Sequence, residues 1–375
     1  MSLSDLLAAE RPPRERPPAS DVAPWTTYLG FGLLIAAVVG TVLFATAPSP
    51  YVVERPGPVY DTLGEVDGSS GEPVPLIEIP DETTYPTSGQ LDLLTVYVDG
   101  SRENPLSWLE VAQAWFDPSR TVLPIDLVYP DGQTEEESDE ESAAAMDTSQ
   151  QDAVAAALTE LGIAYGSVLT VGGVIEGTPA EGVLEEGDEI LTAGGAEVAD
   201  VDGLRAALAA AGVGTDIELG VRRGSEELTL VLAPVASEQD GSAVIGVYVS
   251  AVYDFPIEVR IQLENVGGPS AGMMFALGIY DKLTRGELTG GEHIAGTGTI
   301  GGGGQVGAIG GIVQKMYGAR DAGADWFLAP QSNCADVVGH IPSGIEVFAV
   351  ADLDDAIDAV EAIADDDTAG LARCG

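Results

Sequence analysis

Residues Trp25 to Ala47 (WTTYLGFGLLIAAVVGTVLFATA) contain no charged side chain, and a run of this kind divides a chain between the two sides of a membrane. At about 1.5 Å per residue a helix of that length covers roughly 34 Å, enough to cross a bilayer. Trp25 and Tyr28 stand at one end, where amphipathic rings favour the interface. Arg11, Arg14 and Arg16 precede the run, and only Arg55 comes closely after it. The bias of basic residues toward the cytoplasmic side then sets residues 1–24 in the cytoplasm and the remainder outside. Ala45-Thr46-Ala47 also fits a signal-peptidase site, but the run exceeds a typical signal core and Pro48 would come directly after the cut. A retained transmembrane helix over 25–47 is expected, behind a disordered tail that is rich in Pro and Arg from Arg11 to Ala19.

The rest of the chain carries an unusual charge. Across 375 residues, 61 Asp and Glu oppose 15 Lys and Arg, a formal net charge of −46. Such a field repels polyanions, so nucleic acid is excluded as a partner. The apolar share of 45 % is ample for cores, and the length suggests two or three domains. Lysine occurs only at Lys282 and Lys315, so either one draws notice. Cys334 and Cys374 leave two readings open, a disulfide tying down the C-terminal tail or two unrelated thiols.

Along the exported part, Leu91–Val98 and Thr121–Tyr129 read as strands, with a short helix over Leu106–Phe116 between them. The acidic run Glu135–Glu141 reads as a solvated linker, 135–149 in all. A helix is expected over Gln150–Leu161, capped by Thr148 or Ser149. Strands are expected at Ser167–Val174, Glu189–Ala193, Ile217–Arg222 and Leu228–Leu232, with a helix at Asp202–Ala211. Val244–Val249 and Ile257–Leu263 read as two further strands.

Gly267-Gly268-Pro269-Ser270-Ala271-Gly272 then opens an apolar helix, Met273–Tyr280. A serine at such a turn has an exposed hydroxyl, and the amides and dipole of the new helix face any oxyanion beside it. Alone, Ser270 would more often be a helix cap. Gly310-Gly311 opens another helix, Ile312–Ala322, in which Lys315 shares a face with Ile312, Ala319 and Ala322. Burial on that face and a place in the first turn both disfavour the charged amine, the condition for a lysine to act as a base near neutral pH.

Within residues 150–236, Gly177, Pro179, Ala180, Gly182, Leu184, Gly187, Asp188, Ile190 and Leu191 form a pattern that resembles bacterial PDZ domains. That resemblance implies a β-barrel-like fold that binds extended peptides at a sheet edge. The loop at Leu161, Gly162 and Ile163 is the expected capture site. The stretch Gly267 to Asp358, within an expected domain over 237–375, resembles the proteolytic domain of Lon-type peptidases. Gly268 to Gly272 match its nucleophile motif, Thr297-Gly298-Thr299-Ile300 a second motif, and Ile309-Gly310-Gly311 the approach to its lysine. Ala319 to Gly323 and Leu328-Ala329-Pro330 match two further motifs downstream. The resemblance implies an α/β (α+β) fold, with Ser270 as nucleophile, Lys315 as base, and Thr297 orienting the lysine. Gly268, Pro269 and Ala271 would form the oxyanion loop. Two positions depart from the family: Gly267 and Thr299 stand where many members carry acidic residues, and either bears on substrate handling or on the resting state.

Neither lysine is directly preceded by a glycine, so the sequence contains no G-x-x-x-x-G-K-[ST] phosphate loop, and no ATP, cofactor or metal is expected. The order anchor, PDZ, Lon domain resembles the membrane-bound PDZ–Lon proteases of Gram-positive bacteria, whose substrates are polypeptides and whose relatives form rings, so a homo-oligomer is compatible with it. Residues 48–134 are expected to supply strands that pack with the protease domain. Two rivals are weighed. An α/β-hydrolase would use the same G-x-S-x-G with His340, or His293, as base. A catalytically silent PDZ adaptor would only bind exported peptides.

Overall fold

The computed structural model describes residues 24–68, 71–130, 132–237, 241–263 and 266–374. Most of the N-terminal tail lies outside the described residues. The first element is the apolar helix α1 (Pro24–Thr46), in which Thr27–Thr46 forms a stretch long and apolar enough to span a membrane, with none of it buried by the protein. Strands β1 (Tyr51–Asp61) and β2 (Gln90–Asp99) come next, then α2 (Trp108–Ala114), whose Trp108 stacks on Phe44 of α1 at 5.6 Å. Strand β3 (Thr121–Pro124) succeeds it. The strand expected over Thr121–Tyr129 stops there, because Ile125–Val128 closes into a helical turn.

Helix α3 (Glu135–Glu160) overturns the expected acidic linker. Thr134 caps it: the Glu137 amide donates to Thr134 Oγ1 and the Thr134 amide to Glu137 Oε2. This capping box, with Glu135, Glu136 and Glu137 in the first turn, turns the acidic run into a dipole-matched helix start. The caps expected at Thr148 and Ser149 are therefore mid-helix. Thr148 bonds back to the Ala144 carbonyl, while Ser149 reaches out to the Pro269 carbonyl.

After α3 the chain builds a separate antiparallel sheet from β4 (Gly166–Val174), β5 (Glu189–Ala193), β6 (Ile217–Arg223), β7 (Glu226–Leu232) and β8 (Val247–Asp254). Helix α4 (Val201–Ala211) precedes β6, capped by Asp200, which accepts from the Gly203 amide at 2.6 Å. The main path of the sheet runs β7-β6-β5-β4-β8. Strand β8 corrects the expected boundary at 237, since it pairs along its length with β4 and so belongs to this inserted sheet. The strand expected over Ile257–Leu263 is reduced to a two-residue pairing of Arg260 and Ile261 with Ile77 and Glu78.

The chain then returns through α5 (Gly272–Leu283), β9 (His293–Gly296), α6 (Ile312–Ala322), β10 (Trp326–Pro330), β11 (Glu346–Val350) and α7 (Leu353–Ala364). These strands join the early ones in a mixed sheet of order β11-β10-β9-β2-β1-β3, with β2, β9, β10 and β11 mutually parallel. Alternating residues feed two cores. Leu93, Ile294, Leu328 and Phe348 pack toward α3, α5 and α7, and Leu94, Ala295, Phe327 and Val347 toward α6. Cys334 and Cys374 form a disulfide, so the C-terminal segment is tied to the turn after β10.

In the inserted domain Asp188 is only 1 % exposed and accepts Arg223 through both carboxylate oxygens, with the Glu185 amide as a third donor. Removing Arg223 leaves that buried carboxylate without its cation. Arg223→Met is expected to destabilise the inserted domain, because the buried Asp188 carboxylate loses its cation. Native-state hydrogen exchange at the buried strand residues Leu219 and Val221 should show the loss.

Candidate active site

Ser270 lies at the start of α5, where Ala271 is the cap residue and the side chain provides no cap bond. Its own carbonyl accepts from the Gly298 amide at 3.0 Å and from Thr297 Oγ1 at 2.9 Å. The preceding turn is clamped to α3: the Gly268 amide donates to the Ser142 carbonyl at 2.8 Å, and Ser149 Oγ to the Pro269 carbonyl at 2.9 Å. Gly268 adopts φ +83°, a conformation open to glycine. The helix of the inserted segment therefore holds both residues before Ser270.

Lys315 comes from the first turn of α6, on the opposite wall. Gly311 starts that helix at φ +68°, pressed so close to Val96 that a Cβ would lie 2.8 Å from its Cγ1. Asn333 pins the approach, donating to the Ile309 carbonyl and accepting from its amide. Of the neighbours expected on the lysine's face, Ile312 and Ala319 are buried, but Ala322 is exposed near the helix end. Lys315 is 1 % exposed, and its Nζ donates to Ser270 Oγ at 2.7 Å and to Thr297 Oγ1 at 2.9 Å. Ser270, Lys315 and Thr297, widely separated in sequence, thus meet through hydrogen bonds.

Burial brings the Lys315 amine down to about 7, with Glu54 on β1 pulling the other way. Glu54 is itself held above the usual carboxylate range by burial, partly offset by the lysine. An amine near neutrality, bonded to a serine hydroxyl at the mouth of a helix, can accept that hydroxyl's proton. The cleft over these atoms has a volume of about 660 Å³ and is walled by Tyr60, Leu94 and Val96, by Met146 of α3, and by Ala308 and Ile309.

The other expected site residues lie elsewhere. Leu161 caps the end of α3, Gly162 turns at φ +65°, and Ile163 packs against the core of the mixed sheet. None of the three is on either end strand of the inserted sheet, β7 or β8. His293 pairs with Asp92 at 2.6 Å and exposed His340 faces the Asp336 carbonyl, so neither histidine is bonded to Ser270. Among the described residues no group of three or more His, Cys, Asp or Glu is arranged to hold a metal. Sequence reasoning misses Ser142, Ser149, Asn333 and Glu54. Of these, only Glu54 leaves a signal, as a lone carboxylate after the apolar stretch Tyr51-Val52-Val53.

The departure at Gly267 has a steric cause. A Cβ there would lie 2.8 Å from Ser142 Cβ, so α3 fills the space that an acidic side chain would need. Thr299 lines the cleft beside Pro269 and Ser270.

Comparison with known proteins matches two parts of the chain. Residues 141–233 match the family model of the PDZ domain, and residues 264–362 match that of the Lon protease (S16) C-terminal proteolytic domain. Lon protease 2 of Bacillus subtilis (strain 168) is 32 % identical over 95 residues, covering 25 % of this chain and 17 % of that protein. Lon protease of Clostridioides difficile (strain 630) is 32 % identical over 151 residues, 36 % of this chain and 18 % of its own. The chain therefore spans less than a fifth of the length of these relatives. Among solved structures, the PDZ domain of the SdrC-like protein from Listeria monocytogenes is 21 % identical, covering 22 % of this chain and 85 % of that one, with a TM-score of 0.21.

The packing and the buried amine each give a measurable outcome. Gly267→Ala is expected to lower stability by about 1–3 kcal/mol through its collision with α3, measured by chemical unfolding. For Lys315, the unfolded chain binds the proton up to an ordinary lysine value while the folded chain releases it from about 7. Burial of the amine therefore weakens folding below that window and ceases to do so above it. Lys315→Met should stabilise the protein more at pH 6 than at pH 10, read from melting temperatures across pH.

Proposed function

Because this chain carries a PDZ domain and a Lon-type proteolytic domain, we propose that it is an ATP-independent serine endopeptidase working through a Ser270–Lys315 dyad. The observation that carries this is the 2.7 Å contact of a buried, near-neutral lysine with the serine hydroxyl. In this mechanism Ser270 Oγ attacks a peptide carbonyl while neutral Lys315 takes the hydroxyl proton. The tetrahedral oxyanion forms beside the N-terminal amides of α5, where the helix dipole favours negative charge. As the C–N bond breaks, the ammonium of Lys315 returns the proton to the leaving amine. Water then attacks the acyl ester, losing its proton to the same lysine, and the serine is regenerated. Thr297, bridging Lys315 and the Ser270 carbonyl, keeps the amine aimed at Oγ.

The helix α1 is taken as a membrane anchor with the arginine-bearing tail inside and the catalytic domain outside the cell. The apolar length of Thr27–Thr46 and the Cys334–Cys374 disulfide favour such a placement. Polypeptides at the outer face of the membrane are then the substrates. The inserted domain serves their recognition.

A fluorophosphonate should label Ser270 in the wild type and fail in Ser270→Ala, with hydrolysis of unfolded polypeptides lost in both Ser270→Ala and Lys315→Met. An active Lys315→Met with an inactive His340→Ala would instead favour a histidine-based hydrolase. The acid limb of kcat/KM should fall near pH 7, because activity needs the unprotonated amine. Removing the Glu54 charge removes the effect that favours the ammonium. Glu54→Gln should therefore move that limb to lower pH, and an unmoved or raised limb would contradict Glu54 as the lysine's electrostatic neighbour.

A further inference from the structure

Beyond the end of α1 the chain turns several of its largest apolar side chains outward. In α2, Val111 and Ala114 are buried against the protein. The helical winding continues past Ala114, because the Trp115 amide donates to the Val111 carbonyl and the Phe116 amide to the Gln113 carbonyl. Leu109 and Phe116 therefore share the outward face, where a surface helix ordinarily carries polar groups. Leu109 and Trp115 are exposed, and Phe116 is 90 % exposed. Leu127, in the helical turn Ile125–Val128, is 72 % exposed. Outward apolar groups gathered in this way mark a contact surface.

These segments converge where α1 ends. Phe44 of α1 stacks on Trp108 at 5.6 Å, and Tyr51 meets Trp108 and Trp115 edge-on at 5.7 and 6.5 Å. The Trp108 amide donates to the Ala47 carbonyl, and the Ile125 amide to the Pro50 carbonyl. Backbone bonds thus seat α2 and the 125–128 turn on the residues that directly follow α1. Leu43 and Phe44 are themselves exposed, so the patch continues the apolar surface of α1. Tryptophan and tyrosine rings favour the membrane–water boundary, and three of them cluster here. The charges nearby are matched: Asp117 pairs with Arg120 at 3.1 Å and Asp126 with Arg102 at 2.8 Å.

We infer that this face of α2, together with the 125–128 turn, rests in the outer interfacial layer of the bilayer, so that the folded protein is docked on lipid. This rests on α1 being a membrane anchor, as proposed above, and goes beyond it by fixing which surface meets the lipid. A bilayer around α1 ends where the patch begins, which makes lipid its occupant. A formal charge of −46 gives no attraction to anionic headgroups, so burial of apolar side chains supplies the attachment. Strand β1 leads from Tyr51 in the aromatic cluster to Pro58 in the catalytic cleft, seven residues on. At ~3.3 Å per residue, docking holds the cleft within about 23 Å of the patch. Chain segments emerging from the same membrane are then close to Ser270.

Nitroxide labels on the full-length protein in phosphatidylcholine nanodiscs test this placement, since Cys334 and Cys374 are held in their disulfide. Labels go on Phe116→Cys and Leu127→Cys in the patch, Leu34→Cys within α1, and Val213→Cys on the inserted domain. Oxygen concentrates in lipid and a nickel chelate in water, so the ratio of their collision rates reports the surroundings of each label. The ratio should exceed one at positions 34, 116 and 127 and fall below one at position 213. A ratio below one at both 116 and 127, with position 34 above one, would overturn the docking and leave the anchor standing. Labels at 116 and 127 shielded from both reagents and broadened by a second nitroxide would overturn it in favour of contact between two copies. A ratio below one at position 34 would remove the anchor and the docking together.

Discussion

A lysine amine 1 % exposed to solvent, 2.7 Å from a serine hydroxyl, is the contact on which the remaining structure turns. Burying a charged ammonium without a carboxylate in contact is costly enough that the amine is driven toward its neutral form. Glu54 opposes this from β1, though burial restrains its own ionisation. The balance leaves the amine near neutrality, where it is able both to accept and to return a proton. Much of the mixed sheet serves that balance: β1 supplies Glu54, β2 supplies the wall at Val96, and the loop after β9 supplies Thr297.

The second structural dependence is on α3. This helix leads directly into the inserted domain, and the same helix grips the turn before Ser270 through Ser142 and Ser149. Insertion of the PDZ domain into the proteolytic one has therefore not produced two independent bodies joined by a linker. The hairpin at 299–307 adds to the union. The Gly302 carbonyl accepts from Thr159 and Tyr165, and the Asp202 carboxylate lies directly against Gly301, where a Cβ would displace it.

The meeting of Ser270, Lys315 and Thr297 is more legible in sequence than the frame around it. Ser270 and Lys315 stand out because glycine-rich turns and apolar helices leave local signatures, and because lysine is scarce in this chain. Strands such as Leu91–Val98 and Glu189–Ala193 are legible from β-rich runs bounded by turn residues. The acidic start of α3 misleads, because a run of like charges resembles a loop until its cap at Thr134 and its fit to the helix dipole are weighed. Strand β8 falls into the wrong unit by sequence because its pairing with β4 spans a long stretch of chain and leaves no local mark. The contacts of Ser142, Ser149 and Asn333 depend on tertiary approach and cannot be read from their own neighbourhoods.

The scarcity of lysine allows a direct test of the buried amine. Protein labelled with 15N-lysine carries two side-chain amines, Lys282 and Lys315, and both can be followed by NMR across pH and assigned with Lys315→Met. Burial lowers Lys282 as well, with Asp61 and Asp281 opposing it. The signal lost in Lys315→Met is expected to titrate near pH 7. A Lys315 signal titrating at the ordinary lysine value of about 10.4 would contradict the dyad, because the amine would then be an ammonium at neutral pH and could not serve as the base.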